Sequence, residues 1–115
     1  MGALTTHVLD TAAGRPAAGV RIDLFRIDQQ PVLLKSVMTT ADGRTDEPLL
    51  AADAFLPGTY QLLFYVADYH AARNHPDAGK FLTHVPIVFR VADASAKYHV
   101  PLLVTPWGYT TYRGS

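Results

Sequence analysis

An all-β fold, a two-sheet sandwich with one short helix, is what this sequence predicts, and three observations predict it. Apolar residues recur at every second position in Tyr60, Leu62, Phe64 and Val66, in Val85, Ile87, Phe89 and Val91, and in Tyr98, Val100, Leu102 and Val104. That two-residue period belongs to strands with one face in a core. Turn signals separate the runs, at Ala41-Asp42-Gly43, Pro57-Gly58 and Pro106-Trp107-Gly108. Only residues 68–74 read as a helix. Seven or eight short strands joined by turns are the pattern of a β-sandwich.

The elements follow in order. Residues 4–10 read as the first strand, with Leu4, Thr6 and Val8 on one face and Thr5, His7 and Leu9 on the other. Residues 12–19, rich in Gly, Ala and Pro, read as a turn-rich connection. Val20, Ile22 and Leu24 alternate with Arg21, Asp23 and Phe25 in a half-buried second strand. Residues 28–31 make a hairpin link into a third strand over residues 32–40. The Ala41-Asp42-Gly43 turn then delivers Arg44-Thr45-Asp46. Residues 49–55 fit either a short strand or a helical turn. The run from Tyr60 to Val66 is the clearest apolar face of the chain. In the helix, Asp68 is the expected cap, Ala71 and Ala72 favour helix, and Pro76 stops it. Pro86 lies on the outer face of its strand and predicts a sheet edge or a bulge. In the last strands, His99 falls opposite the aliphatic set, and Tyr109 to Tyr112 form a second short run suited to a pleated surface. The aromatic, cationic ending Tyr112-Arg113-Gly114-Ser115 comes directly off a strand and is expected to be ordered.

The 115 residues suit one domain, residues 1–115, with 49% hydrophobic and 17% charged side chains. Lys and Arg number 10 and Asp and Glu number 10, so no broad field favours nucleic acid or an anionic membrane. The absence of cysteine excludes disulfides and thiolate metal sites and suits a reducing compartment. The first charged residue is Asp10, so the basic start of a secretory signal is missing, and the expected location is cytoplasmic. Apolar runs such as residues 62–67 are too short to cross a bilayer.

Chemistry concentrates on a few side chains. His7 and His99 share the outward phase of the first and penultimate strands; if those strands pair, both imidazoles project from one surface. Imidazole takes or gives a proton near neutral pH, which suits a general base and acid. Arg44 follows a turn and is either a surface cation paired with Asp46 or a planar fork for a carbonyl or delocalised anion. An ordered tail would bring Tyr112, Arg113 and Ser115 to a ligand. His70, His75 and His84 read as structural or solvated. Zinc needs three or four converging ligands, and no H-x-x-x-H spacing accompanies His7 and His99, so no metal is expected. No G-x-S-x-G, P-loop or G-x-G-x-x-G pattern occurs.

Leu4-Thr-Thr-His-Val-Leu-Asp10 and the residues up to Ala17, Gly43-Arg-Thr-Asp46, Tyr98-His-Val-Pro-Leu-Leu103 and Tyr112-Arg-Gly-Ser115 together resemble the transthyretin-related 5-hydroxyisourate hydrolases over essentially the whole chain. The Tyr-Arg-Gly-Ser ending is the most specific part, since it separates the hydrolases from the hormone-carrying transthyretins. The resemblance implies a transthyretin-like sandwich of two four-stranded sheets with a short helix after the fifth strand. It implies a homotetramer, a dimer of dimers, whose central channel is lined by the His7 and His99 face. The catalytic set carried over is His7, Arg44, His99 and Ser115, with substrate bound by His7, Arg44, Tyr112, Arg113 and Gly114. The implied reaction is hydrolytic opening of the lactam-type C–N bond of 5-hydroxyisourate, a purine-derived ring of urate breakdown, to a carboxylated ureidoimidazoline. Water is the nucleophile and no cofactor is implied. The competing reading is a carrier that holds a flat ligand in the same channel; a carrier wants apolar walls, so two imidazoles and a guanidinium favour catalysis. A structural or adhesive sandwich would be expected to carry cysteines or a secretion signal.

Overall fold

The strand β1 (Ala3–Asp10) buries Leu4, Thr6, Val8 and Asp10 and turns Thr5, His7 and Leu9 outward, the alternation that the sequence predicts. The structure, a computed structural model, describes residues 2–115. The turn-rich stretch holds a two-residue strand, β2 (Arg15–Pro16), which pairs with the end of β1. β3 (Arg21–Ile27) and β4 (Pro31–Met38) form the hairpin. Expected to reach residue 40, β4 stops short because buried Thr39 bends into the interior. Its hydroxyl donates to the Ala17 carbonyl and accepts from the Val20 N–H. The ambiguous stretch 49–55 contains both alternatives, β5 (Leu50–Ala51) followed by a 3-10 turn (Ala52–Ala54).

After β6 (Gly58–Phe64) the expected strand face stops one apolar residue early. Val66 opens the helix α1 (Val66–Ala72) rather than closing the strand. It still points into the core, which is why its spacing mimics the strand period. The helix thus begins two residues before Asp68, which lies in the first turn and is not the cap. Tyr65 occupies that position and makes no side-chain capping bond. Asn74, at φ 58, turns the chain away before Pro76.

β7 (Val85–Val91), β8 (Lys97–Val104) and β9 (Tyr109–Thr111) complete two sheets, ordered β4-β3-β6-β7 and β2-β1-β8-β9, with β5 also on β1. The two-residue β2 and β5 make the second sheet five-stranded rather than four-stranded. β7 lies at a sheet edge, one of the two settings that Pro86 predicts. Leu4, Val8, Ile22, Leu24, Leu62, Phe64, Leu102 and Val104 meet between the sheets with 0% exposure, each stabilising the fold by roughly 1.5–3 kcal/mol. Among the described residues, no helix is long and apolar enough to cross a membrane.

Alternation alone does not say which strands become neighbours. β1 and β8 pair in parallel, with Thr5 opposite His99 and His7 opposite Pro101. Long crossover connections are the rule for such pairs, and here most of the chain lies between the partners.

A polar cluster sits beneath the helix. Tyr69 Oη donates to Asp10 Oδ2 at 2.7 Å, the Ala13 N–H donates to Oδ1 at 2.9 Å, and Arg73 lies 3.8 Å away. Burial by itself raises the Asp10 pKa, but the hydrogen bonds from Tyr69 and Ala13 and the His70 and Arg73 charges outweigh it and hold the carboxyl below its usual value. Burial and the bond to Asp10 push the Tyr69 phenol up to about 12. His70 is buried between them with neither ring nitrogen bonded to protein, and His75 sits against it with ring centroids 5.5 Å apart. Burial lowers its pKa; the Asp10 charge opposes that shift, while His75 and Arg73 add to it. The unfolded chain therefore binds this proton more readily than the folded one, and His70 costs stability as pH falls below about 6.5. Thermal unfolding followed from pH 8 to pH 5 is expected to show that fall, and His70→Met is expected to flatten it.

Candidate active site

The outer face of the β2-β1-β8-β9 sheet gathers the side chains with chemistry. Because β1 and β8 are parallel and in register, odd-numbered residues of both strands share this face, so Thr5, His7, His99, Pro101 and Leu103 lie together. His7 and His99 are diagonal neighbours, on the order of 8 Å apart from strand spacing and rise. His99 is half-buried, and its Nδ1 lies 2.8 Å from Thr5 Oγ1. His7 Nε2 lies 2.8 Å from the Asp42 carbonyl. A carbonyl only accepts, so Nε2 carries a hydrogen toward Asp42 and Nδ1 is the ring nitrogen left for other partners.

The 40–44 loop is tied to β1 by its backbone. The Val8 N–H donates to the Gly43 carbonyl at 2.8 Å, and the Gly43 N–H returns to the Thr40 carbonyl at 2.9 Å. Gly43 adopts φ 77, and a Cβ there would lie 2.3 Å from the Val8 carbonyl oxygen, so only glycine permits this approach. The anchor holds Asp42 at His7 and brings Arg44 close enough for its charge to act on His99. Among the described residues the ion pairs are Arg21–Asp23, Arg73–Asp10 and Lys80–Asp77, so Asp46 does not take Arg44. Burial lowers the His99 pKa, and the charges of Arg44 and His7 lower it further, which keeps His99 neutral near pH 7.

The tail returns to the same place. β9 pairs with β8 from Tyr109 to Thr111, and pairing lapses opposite Pro101, which has no N–H; the Thr111 hydroxyl donates to the Pro101 carbonyl at 2.8 Å. It resumes in the same register at Gly114, whose N–H donates to the His99 carbonyl at 2.7 Å. Tyr112 and Arg113 lie between these two pairings, and both border a cavity of about 260 Å³ with Tyr98 and Val100. Arg113 stacks 4.0 Å over the Tyr98 ring and donates to the Lys97 carbonyl at 2.9 Å. Its guanidinium is thus not brought to the imidazoles, whereas Gly114 packs against His99 and exposed Ser115 follows it.

A sequence profile of the HIUase/Transthyretin family matches residues 4–114. The chain belongs to this family. It is 52% identical to 5-hydroxyisourate hydrolase 2 of Rhizobium meliloti (strain 1021), over 99% of this chain and 97% of that protein. Among solved structures, Klebsiella pneumoniae 5-hydroxyisourate hydrolase superimposes with a TM-score of 0.83 at 32% identity, covering 100% of both chains. (S)-Allantoin synthase superimposes with a TM-score of 0.92 at 39% identity over 99% of this chain, which spans 44% of the synthase's length.

In this member of the HIUase/Transthyretin family, a shallow cavity of about 190 Å³ lies against Thr5 and Arg44, with Thr45, Asp46, Glu47 and Pro48 among its other walls. A larger depression of about 460 Å³, beside β4, holds Lys35, Met38 and Glu47 and no imidazole. Among the described residues, no group of three His, Cys, Asp or Glu side chains converges to hold a metal. Three contributors escape sequence reading: Thr5, the Asp42 carbonyl and Gly43. Thr5 shares the phase of His7 and Gly43 carries a turn signal, but their contacts depend on the fold.

A Cβ at residue 114 would stand 2.6 Å from His99 Cδ2, so the imidazole and the tail fit together only with glycine. Gly114→Ala is expected to break the bridge to the His99 carbonyl and shift the ring. Amide exchange at residue 114 and the His99 ring resonances read this directly. The unfolding free energy is expected to change by no more than about 1 kcal/mol, because the core is untouched.

Proposed function

We propose that this protein is a 5-hydroxyisourate hydrolase, which opens the cyclic amide of its substrate with water. The carrying observation is the convergence, on one sheet face, of two imidazoles held by different partners and an arginine unpaired by its acidic neighbour. The relatives named above supply the reaction; the geometry supplies the roles. Neutral His99 accepts the proton of a water that His7 Nδ1 helps to orient. The water oxygen bonds to the substrate carbonyl carbon, and negative charge collects on the carbonyl oxygen beside Arg44. The C–N bond then breaks, the departing nitrogen takes a proton from the imidazolium, and the carboxylic acid left behind releases its proton to solvent. Tyr112 flanks the purine-derived ring, while Gly114 and Ser115 offer main-chain and hydroxyl hydrogen bonds. Arg113 serves this reading through the tail's path, by tying it to Tyr98 and Lys97.

The histidine face is open in a single chain, and water would compete for every polar group on it. Closing it takes a second wall, and a homotetramer that faces two such sheets across a channel provides one. We place the reaction in the cytoplasm, whose reducing conditions a chain without cysteine suits.

With freshly generated 5-hydroxyisourate, absorbance is expected to decay far faster than in the spontaneous reaction; a carrier would bind without accelerating it. His99→Ala is expected to lose on the order of 10²–10⁴-fold in kcat, and Arg44→Ala on the order of 10²–10³-fold. Retention of near-normal rates by both folded variants would defeat the assignment. The pH profile has a defined sign. Activity requires neutral His99, so it is present above the His99 pKa and falls below it, and the depressed pKa extends the plateau below about pH 6.5. Arg44→Gln removes one repelling charge, so the acid limb of its residual activity is expected at higher pH.

A further inference from the structure

We propose that Thr5 is a positioning residue for the reaction, which fixes the ring and tautomer of His99 through its hydroxyl. This rests on the hydrolase reading above and deepens it. Thr5 is directly opposite His99 in the parallel β1–β8 register, and its Oγ1 lies 2.8 Å from Nδ1. The neighbouring Thr6 points the other way, where its buried hydroxyl donates to the Val100 carbonyl at 2.7 Å. Thr6 thus ties the two strands together, while Thr5 makes no other side-chain hydrogen bond among the described residues. The work of the Thr5 hydroxyl is on the imidazole.

The chemistry asks for this residue type. When the hydroxyl accepts from Nδ1–H, the lone pair sits on Nε2, the nitrogen free of protein partners. After Nε2 takes up a proton, Nδ1–H is still present and still donates to the same oxygen, so the ring keeps its place in both states. A carboxylate would orient the ring equally well, but its charge would raise the pKa and fill the base with a proton. The charged and titratable groups facing His99 are Arg44 from the 40–44 loop and His7 from β1, and both oppose its protonation. The tail contributes Gly114 there, with no side chain, and turns Arg113 away. A neutral partner preserves the setting that these neighbours create.

The test compares Thr5→Val, Thr5→Ser and Thr5→Asp with His99→Ala in the full-length assembled protein. Thr5→Val keeps the shape and removes the hydroxyl, so kcat is expected to fall about five- to tenfold with KM little changed. Thr5→Ser restores the hydroxyl and is expected to recover most of that loss. Thr5→Asp is expected to move the acid limb up by about one pH unit or more. Imidazole ¹⁵N shifts are expected to show Nδ1 protonated in the unsubstituted protein and a mixture of tautomers in Thr5→Val, a readout that does not depend on turnover. Unchanged kcat and ¹⁵N pattern in Thr5→Val overturn the inference. So does a Thr5→Ser protein as impaired as Thr5→Val, which would point to packing. An inactive His99→Ala beside a fully active Thr5→Val removes Thr5 alone, whereas a fully active His99→Ala removes the hydrolase site and Thr5 with it.

Discussion

The parallel pairing of β1 with β8, in the register that sets Thr5 against His99, is the constraint on which the rest depends. It puts the outward residues of two strands, far apart in the chain, onto one surface. A slip of one residue would send His99 into the core and Val100 out of it, so burial of Val8, Leu102 and Val104 enforces the register. Hydrophobic packing on the inner face thus fixes the arrangement of polar groups on the outer face.

Two backbone attachments complete the arrangement, and each needs a residue without a side chain. Gly43 lets the 40–44 loop lie against Val8 and brings Arg44 in from one side. Gly114 lets the tail resume its pairing beside His99 on the other. Both are close approaches of main chain, whose hydrogen bonds hold position more tightly than a mobile side chain does. The imidazole of His99 is consequently hemmed in by a hydroxyl, a cation and a strip of backbone. None of these supplies a negative charge. The site therefore favours a neutral base, unlike the Asp10 cluster beneath the helix, where a buried carboxylate is matched by donors.

Much of this was legible in the order of residues. The period-two runs identify the core faces of β1, β3, β6, β7 and β8, and the same periodicity puts His7 and His99 outside the core. Pro86 marks an edge because proline cannot donate to a ladder. The helix start was misread because Val66 is buried both as a continuation of the strand pattern and as the first residue of a helix, so periodicity did not distinguish the two. The strand β2 was missed because two residues are too few to show a period.

Local sequence decides which way a side chain faces, since the alternation of a pleated strand is a property of the chain's own geometry. It therefore determined the sandwich class, the outward histidines and the aromatic tail. Which strands become neighbours is settled by how two sheets cover one another, a matter of long-range packing that no short window contains. Only the tertiary structure decided that β1 and β8 run side by side in parallel, that Thr5 and Asp42 hold the two imidazoles, and that Arg113 turns to Tyr98 while Gly114 stays with His99.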